Sequence, residues 1–298
     1  MIKTLLLAGG ASLLAAGAVQ AADLPRRQAP PPVFTPVPVF TWTGFYAGFN
    51  AGYAWSERRR ETVTAFDIPQ IPTADYLAAL GTGAGRGESG GFTGGAQIGY
   101  NIQFTPGSGF VFGIEADAAY TDLQRRRAAS ATIVGFPGFP GANDVNLDSA
   151  TRSELSFLGT VRGRVGYAFD RFLIYGTGGF AYGQTQYSSV LTIGTTLGGF
   201  ASGPTASISG GYDRIQTGYA YGGGIEYALP TDNFLNFFRS SAVTLKVEYL
   251  HFDLGRRSVI GAYDIIPASG TPVPATVTRV RTEGDLVRAG INYKFGTY

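Results

Sequence analysis

The chain ends in the stretch that decides its fold, Val287-Arg-Ala-Gly-Ile-Asn-Tyr-Lys-Phe295. Every second side chain here is apolar, whereas the residues between them are polar, charged or small, as at Arg288 and Lys294. An alternation of period two predicts a β-strand with one apolar and one polar face. Because the pattern recurs roughly eight times along the chain, it indicates a barrel whose apolar face meets lipid.

The other stretches with this alternation are each long enough for a tilted membrane crossing of about 9–11 residues. Their apolar faces are rich in aromatic side chains, as at Phe45, Phe49 and Tyr53 in the first. The predicted strands comprise residues 44–56, 91–104, 110–123, 153–169, 171–184, 214–229, 242–254 and 282–295. We therefore expect an all-β protein, an eight-stranded antiparallel up-and-down transmembrane β-barrel.

The connections between these strands alternate in length. Three are short, at residues 106–109, at residues 169–171 and around residues 230–233. Short turns on one side and long loops on the other are typical of outer-membrane barrels, with the long loops outside the cell. We therefore expect both termini in the periplasm, and four long extracellular loops at residues 57–90, 124–152, 187–213 and 255–281.

The N-terminus has the features of an export signal. Lys3 provides a positive charge, residues 5–19 are apolar or small, and small residues near Ala21 suit signal cleavage. A transmembrane anchor is the alternative, but the apolar run is short for a helical span. The sequence predicts a signal peptide at 1–21, a Pro-rich periplasmic leader at 22–43 and the barrel at 44–298.

The composition agrees with an exported barrel. Glycine accounts for 44 of the 298 residues, aromatic residues for 13% and charged residues for only 15%. Cysteine is absent, which excludes disulfides and cysteine-ligated metal sites. Nucleic-acid binding fits an exported chain poorly, and the net charge of +2 says little without the placement of the charges.

Several motifs carry a resemblance to a known family. The leader begins Ala22-Asp-Leu-Pro-Arg26, and the first strand region reads Trp42-Thr-Gly-Phe-Tyr-Ala-Gly-Phe-Asn-Ala-Gly-Tyr53. With Thr177-Gly-Gly-Phe-Ala-Tyr-Gly183 and Lys246-Val-Glu-Tyr-Leu-His-Phe-Asp-Leu-Gly255, these motifs resemble the RopB-type small outer-membrane barrels of alphaproteobacteria, often called outer-membrane immunogenic or porin-family proteins. The resemblance implies an eight-stranded barrel related to the OmpA membrane domain. It implies no single activity, since structural, antigenic, pore-forming and haem-binding roles are all discussed for the family.

The polar faces of the predicted strands carry a nearly balanced set of charges. The interior of an eight-stranded barrel is just wide enough for side chains to fill it. Buried charges are tolerable there only as a paired network. The predicted network comprises Glu115, Asp117, Glu226 and Glu248 with Arg162, Arg164, Lys246, Arg288 and Lys294. A gated pore whose charges select ions is the alternative interpretation.

Arginine clusters follow three of the predicted ascending strands. Guanidinium groups bind phosphate oxygens in bidentate fashion, so we expect these clusters to contact lipopolysaccharide at the extracellular rim. The predicted rim residues are Arg58, Arg59, Arg60, Arg125, Arg126, Arg127, Arg256 and Arg257. The alternative is that they are ordinary charges at the bases of solvated loops.

The sequence offers little for catalysis or cofactor binding. The single histidine, His251, lies two residues from Asp253, so both share a strand face, but no serine follows at the spacing of barrel lipid A deacylases. No metal-ligand cluster is visible, and the glycine runs lack the residues of a phosphate-binding loop. We expect no enzymatic activity, no cofactor and no metal.

These observations favour an integral protein of the Gram-negative outer membrane with a mainly structural and surface-exposed role. A narrow, porin-like diffusion channel is the first alternative. A loop-based surface receptor, adhesin or haem binder is the second. The expected partners are outer-membrane lipid, lipopolysaccharide and the barrel-assembly machinery, which would engage the C-terminal strand. The loops could bind an extracellular ligand that the sequence does not identify.

Overall fold

The computed structural model describes residues 39–56, 62–65, 89–134, 144–197, 200–230, 243–265 and 276–295. The predicted signal peptide and most of the predicted leader lie outside these residues. Within them, no helix is long and apolar enough to cross a membrane. The strands are β1 (Gly44–Ser56), β2 (Thr62–Ala65), β3 (Ser89–Gln103), β4 (Ser108–Val134), β5 (Asp144–Phe169), β6 (Phe172–Leu197), β7 (Phe200–Ala228), β8 (Val243–Ile265) and β9 (Thr276–Phe295).

Eight of these strands form one closed antiparallel ring. Each long strand pairs with its neighbours in sequence, and β1 pairs with β9, where Phe45 lies opposite Phe295. The short strand β2 adds four residues to the edge of β9 at Thr276–Arg279. Closure of the ring lets every strand in the band pair on both sides, as a barrel in lipid requires. The predicted eight-stranded up-and-down barrel is confirmed.

One end of the barrel, here called the turn end, has tight connections. Phe169 pairs with Phe172, so only Asp170 and Arg171 join β5 to β6, and Asp170 adopts a positive φ of 52°. Aspartate tolerates this left-handed conformation better than most residues. The predicted strand ends agree with the structure to within two residues at this end.

At the opposite end, here called the extended end, the strands run far beyond their predicted limits. β4 continues to Val134, and β7 already begins at Phe200. Much of the sequence predicted as loops at 124–152, 187–213 and 255–281 is therefore strand. Stretches such as Ala128-Ala-Ser-Ala-Thr-Ile-Val134 are small and β-branched without strong polarity alternation, which is why the sequence did not reveal them.

The outer wall between the two ends is a band of exposed apolar side chains. Phe49 is 72% exposed and Ile98 is 63% exposed, values that suit lipid contact and not contact with water. Aromatic residues border this band at both ends, as interfacial girdles do. Phe104, Phe110, Tyr167 and Phe295 lie near the turn end, and Tyr53, Tyr120, Tyr219 and Tyr249 lie towards the extended end.

Candidate functional site

The lumen is the candidate functional site, and it is filled in three layers. Apolar residues close its turn end, charged residues fill its centre, and a second apolar layer lies towards the extended end. The inward residues of β8 show the order of the last two layers. The charged Lys246 and Glu248 come first and are followed by the apolar Leu250, Phe252 and Leu254. The inward side chains of β8 thus change from charged to apolar towards the extended end.

The turn end is closed by the segment Val39–Thr43, which we call the stopper. Phe40 and Trp42 are buried against inward residues of the barrel, including Leu173. The Trp42 backbone N–H donates to Gln103 Oε1 at 2.7 Å, and its indole N–H donates to the Asp170 carbonyl at 3.0 Å. The stopper belongs to the compact barrel unit, which begins at Val39 and so includes the last residues of the predicted leader.

Arg162 is the centre of the charged layer. It is fully buried, and its guanidinium lies 2.7 Å from Glu115, 2.9 Å from Asp117 and 3.1 Å from Glu248. Thr160 orders one edge of this cluster, because it accepts a hydrogen bond from Arg162 Nε and donates one to Asp117. One guanidinium thus joins three carboxylates from two separate strands, β4 and β8.

Two further cations complete the pairing of these carboxylates. Arg288 Nη1 lies 2.9 Å from Asp117 Oδ1, and Arg288 Nη2 lies 2.7 Å from Glu248 Oε2. Lys246 Nζ lies 2.9 Å from Glu115 Oε1. Each carboxylate therefore has at least two cationic partners, which offsets the large cost of removing these charges from water.

A second part of the network surrounds Arg164. Its guanidinium lies 2.8 Å from Glu226, donates to the Tyr46 hydroxyl at 3.0 Å, and lies 3.9 Å from the centroid of the Tyr175 ring. The Tyr46 hydroxyl in turn donates to Glu115 at 2.7 Å. This tyrosine joins the two parts into one network with four carboxylates and four cations.

Sequence reasoning missed the neutral members of the network. Thr244 and Asn292 both donate to Glu226 Oε1, and the Tyr175 hydroxyl donates to Glu248 Oε1 at 3.0 Å. Tyr46 occupies a polar-face position of β1, between the outward Phe45 and Ala47, so the strand phase could have identified it. Tyr175 lies in a continuously apolar stretch, which gives no such signal.

Lys294, predicted as part of the network, lies elsewhere. Its Nζ donates to the Thr41 carbonyl at 2.6 Å and lies 5.3 Å from the Phe40 ring centroid. The reason is its position near the end of β9, beyond the level of the other charges. Lys294 therefore holds the stopper instead of a carboxylate of the central layer.

The apolar layer towards the extended end consists of inward side chains from most of the ring. Phe252 is fully buried, and Leu155, Leu250 and Leu286 are at most 2% exposed. A hydrophobic constriction of this kind excludes water and ions more strongly than a polar one. This layer lies on the extended side of the charged layer.

The predicted rim arginines divide between the two faces of the extended strands. Arg126 is exposed and points outward, whereas Arg125 and Arg127 are half-buried and share the inner face with Leu123. Arg256 likewise points outward, and Arg257 lies opposite the buried Val280 on the inner face. Arg58, Arg59 and Arg60 lie outside the described residues.

Arg126 and Arg256 each lie directly opposite a second arginine on the neighbouring strand, whereas Arg279, a further exposed outward arginine on β9, lies opposite Ser258 and Thr62. Arg126 pairs in register with Arg152, and Arg256 with Arg281. Arg152 forms an exposed ion pair with Glu154 at 2.8 Å. Like charges directly opposite on a sheet are unfavourable. Glu154 offsets one cation of the Arg126–Arg152 row, and Asp253 and Glu283 offset Arg281 in the other row.

Arg281 also binds carboxylates at the outer edge of the girdle, where Asp253 lies opposite Tyr219. It pairs with Asp253, and its Nε lies 3.0 Å from Glu283. Burial alone would raise the pKa of Asp253, but hydrogen bonds from Arg281 and from the Gly255 amide outweigh burial and hold the pKa below its usual value. The Asp253 side chain therefore favours its charged form in the folded protein.

His251 pairs with a different carboxylate from the one the sequence suggested. Its Nδ1 lies 2.9 Å from Asp285 Oδ1, which is directly opposite on β9, and the same oxygen accepts from the Tyr249 hydroxyl at 2.6 Å. The Tyr221 ring lies 5.1 Å away, centroid to centroid. Among the described residues, no group of three or more histidine, cysteine or acidic side chains could hold a metal.

Comparisons with known proteins agree with this architecture. A family model described as the outer membrane protein β-barrel domain matches residues 10–295. The 31 kDa outer-membrane immunogenic protein of Brucella melitensis biotype 1 is 32% identical, covering 99% of this chain and 100% of that protein. The 25 kDa outer-membrane immunogenic protein of Brucella canis is 26% identical, covering 99% of each. Among solved structures, the outer membrane protein OprG from Pseudomonas aeruginosa has a TM-score of 0.40 at 12% identity, covering 86% of this chain and 97% of that one.

Proposed function

Because the chain belongs to the outer membrane protein β-barrel domain family, we propose that it is a sealed, non-conducting barrel with a structural and surface role in the cell envelope. Family membership confirms the predicted resemblance and the outer-membrane location. The relatives reported above carry the names of immunogenic surface proteins and not of enzymes, and we infer that this protein is not an enzyme either. In this topology the turn end faces the periplasm and the extended end faces outward.

The single observation that carries the proposal is the closure of the lumen by three layers. A narrow channel requires a continuous wet path, and the buried side chains of the stopper, the charged network and the apolar layer around Phe252 support the absence of one. Opening any one layer leaves the other two in place. The alternative of a porin-like channel therefore requires three separate rearrangements.

Single-channel recording in planar bilayers tests this proposal. Refolded protein that shows heat-modifiable mobility on gels is expected to give no conductance steps. Trp42→Ala, which removes the largest side chain of the stopper, is also expected to give no conductance steps because the other two layers persist. Regular steps in the wild-type protein, altered in Arg162→Gln, would instead establish the narrow channel.

We also propose that the outward rim arginines hold lipopolysaccharide against the barrel. Arg126 and Arg256 project from the outer wall beyond the girdle, where anionic headgroups lie. Each basic residue at an anionic membrane surface contributes about 1 kcal/mol, so several together matter although none does alone. The inner-facing Arg125, Arg127 and Arg257 take no part in this contact, which narrows the set predicted from the sequence.

A receptor or adhesin role is the second candidate. The observation in its favour is the extension of β4 to β7 well beyond the membrane band, which presents a rigid sheet instead of loose loops. Binding of an extracellular ligand to whole cells, lost when residues 128–150 are replaced by a short turn, would support this role. Unchanged binding after that replacement would exclude this sheet as the ligand site.

A further inference from the structure

A shallow depression of about 400 Å³ lies on the outward face of β4, β5 and β6, beyond the girdle. Its floor is a row of small apolar side chains that lie opposite one another, Ala128, Ala150 and Val190. The next row outward is polar and consists of Ser130, Asp148 and Thr192. An apolar floor beside hydroxyl and carboxylate groups suits a sugar ring, which has apolar C–H faces and a polar edge.

The row directly below this depression is the arginine pair Arg126 and Arg152. The two cations lie opposite each other, and Glu154 neutralises only Arg152, at 2.8 Å. Among the described residues, Arg126 has no carboxylate partner. Since like charges in this arrangement repel, the site is electrostatically prepared for an anion bound next to the depression.

The height of the site distinguishes between classes of lipid. Arg126 lies six residues beyond Tyr120 of the girdle, but the irregularity between Tyr120 and Leu123 leaves five regular steps, which is about 17 Å along a strand. With the usual barrel tilt of about 40°, this is roughly 13 Å above the girdle. A phospholipid headgroup region is only about 5–7 Å thick, so its phosphate lies too low. A headgroup with several sugars reaches this level.

We propose that Arg126, Arg152 and this depression form a binding site for a phosphorylated saccharide. In the membrane, the ligand would be supplied by the headgroup of a neighbouring outer-leaflet glycolipid. The two guanidiniums bind the phosphate, the Ala128–Ala150–Val190 row supports the sugar face, and Asp148 and Thr192 accept or donate hydrogen bonds at its edge. The inference rests on the proposed function only in placing this wall among lipopolysaccharide molecules.

Calorimetry with the full-length protein in detergent micelles tests the site. The probes are the deacylated, phosphorylated core oligosaccharide of lipopolysaccharide, the same oligosaccharide after phosphatase treatment, and inorganic phosphate. We expect the phosphorylated oligosaccharide to bind at least tenfold more tightly than either of the other probes. The double variant Arg126→Gln/Arg152→Gln is expected to lose at least tenfold in affinity, while Arg214→Gln, an exposed arginine on β7, should bind as the wild type does.

A second variant separates the depression from the arginine pair. Ala150→Leu fills the floor and is expected to weaken oligosaccharide binding about tenfold while leaving the weak binding of inorganic phosphate unchanged. Equal affinity for inorganic phosphate and the oligosaccharide would overturn the saccharide site and leave only an anion site.

Wild-type affinity in Arg126→Gln/Arg152→Gln would overturn the inference altogether. The proposed function would still stand under two conditions. The wild-type barrel would have to show no conductance in bilayers, and Arg256→Gln/Arg279→Gln would have to retain less lipopolysaccharide than the wild type during purification. The two failures are thus distinguishable.

Discussion

Arg162 of β5 and Glu248 of β8 meet across the lumen, with Arg162 Nη1 lying 3.1 Å from Glu248 Oε1. The two strands are separated by two others on one side of the ring, so this contact joins distant parts of the wall. The structural consequence is that the charged layer fastens the barrel across its interior as well as around its circumference.

Removal of Arg162 is the first test of this role. Arg162→Met should leave three carboxylates short of a partner and lower the free energy of unfolding by about 3–5 kcal/mol, measured by urea titration in lipid or detergent. The matched control is Arg152→Met, which breaks the exposed Arg152–Glu154 pair at a similar distance and should cost at most about 1 kcal/mol. Equal losses of unfolding free energy in the two variants would contradict a network of buried ion pairs that stabilises the fold more than an exposed pair does.

The Arg164–Glu226 pair offers a double-mutant cycle. Arg164→Met and Glu226→Gln should each be destabilising, because each leaves a buried partner unpaired, but the double variant should cost less than the sum. A coupling energy of about 1–3 kcal/mol is expected from the unfolding titrations. Strict additivity would show that the two side chains do not interact in the folded protein.

The outward rim arginines should retain lipopolysaccharide during purification. Arg256→Gln/Arg279→Gln removes two outward cations and should weaken the association by roughly 2 kcal/mol, about thirtyfold, with a similar loss for the wild type in high salt. Arg257→Gln is the control, since this residue lies on the inner face opposite Val280. Lipopolysaccharide retained equally by all three proteins would mean that the rim arginines are simple solvated charges.

The Asp253–Arg281 pair predicts a defined pH dependence. Because the folded protein holds the pKa of Asp253 below its usual value of about 3.9, the pair stabilises the fold above that pH and loses its contribution as the pH falls through the folded pKa. Asp253→Asn should therefore be less stable than the wild type at pH 6.5, and the difference in urea midpoint should shrink towards pH 3. A difference that stays constant from pH 6.5 to pH 3 would assign the effect to packing and not to charge.

The orientation of the barrel can be tested by thiol labelling, because the chain contains no cysteine. Ser130 is exposed on the extended end of β4, and Ser108 is exposed at the turn end of the same strand. A membrane-impermeant maleimide added to intact cells should label Ser130→Cys and spare Ser108→Cys until the cells are broken. The reverse pattern would place the tight turns outside the cell.

The sequence predicted the barrel well because the membrane imposes a strict alternation on every crossing strand. Because Phe49 and Ile98 face lipid, their neighbours Asn50 and Gln97 face inward, and this fixes which residues of each strand line the lumen. Beyond the girdle neither face of a strand meets lipid. The extended parts of β4 to β7 therefore lack the apolar–polar alternation by which strands are predicted from sequence. The stopper was missed because Phe40 and Trp42 lie in a Pro-rich stretch and are held by hydrogen bonds to residues far away in the sequence, Gln103 and Asp170.

The division of the rim arginines could not be read from the sequence for a related reason. Three consecutive arginines at 125–127 have no periodicity of their own. Their facing depends on the strand phase, which is irregular between Tyr120 and Leu123, and on β8 between Asp253 and Arg256. That these outward residues bind lipopolysaccharide stays a prediction.

The register of the charged layer has a consequence for how the barrel enters the membrane. Glu115 lies directly opposite Arg162, Glu226 opposite Lys246, and Glu248 opposite Arg288. Each of these adjacent strand pairs therefore carries its own counter-charge before the ring closes. During assembly each of these charges can therefore be paired by a neighbouring strand but not within every hairpin, since β6 and β7 together bring only Glu226 of this layer and its counter-charge Lys246 arrives with β8. Adding neighbouring strands together avoids leaving such a charge alone in hydrocarbon, where it is costly.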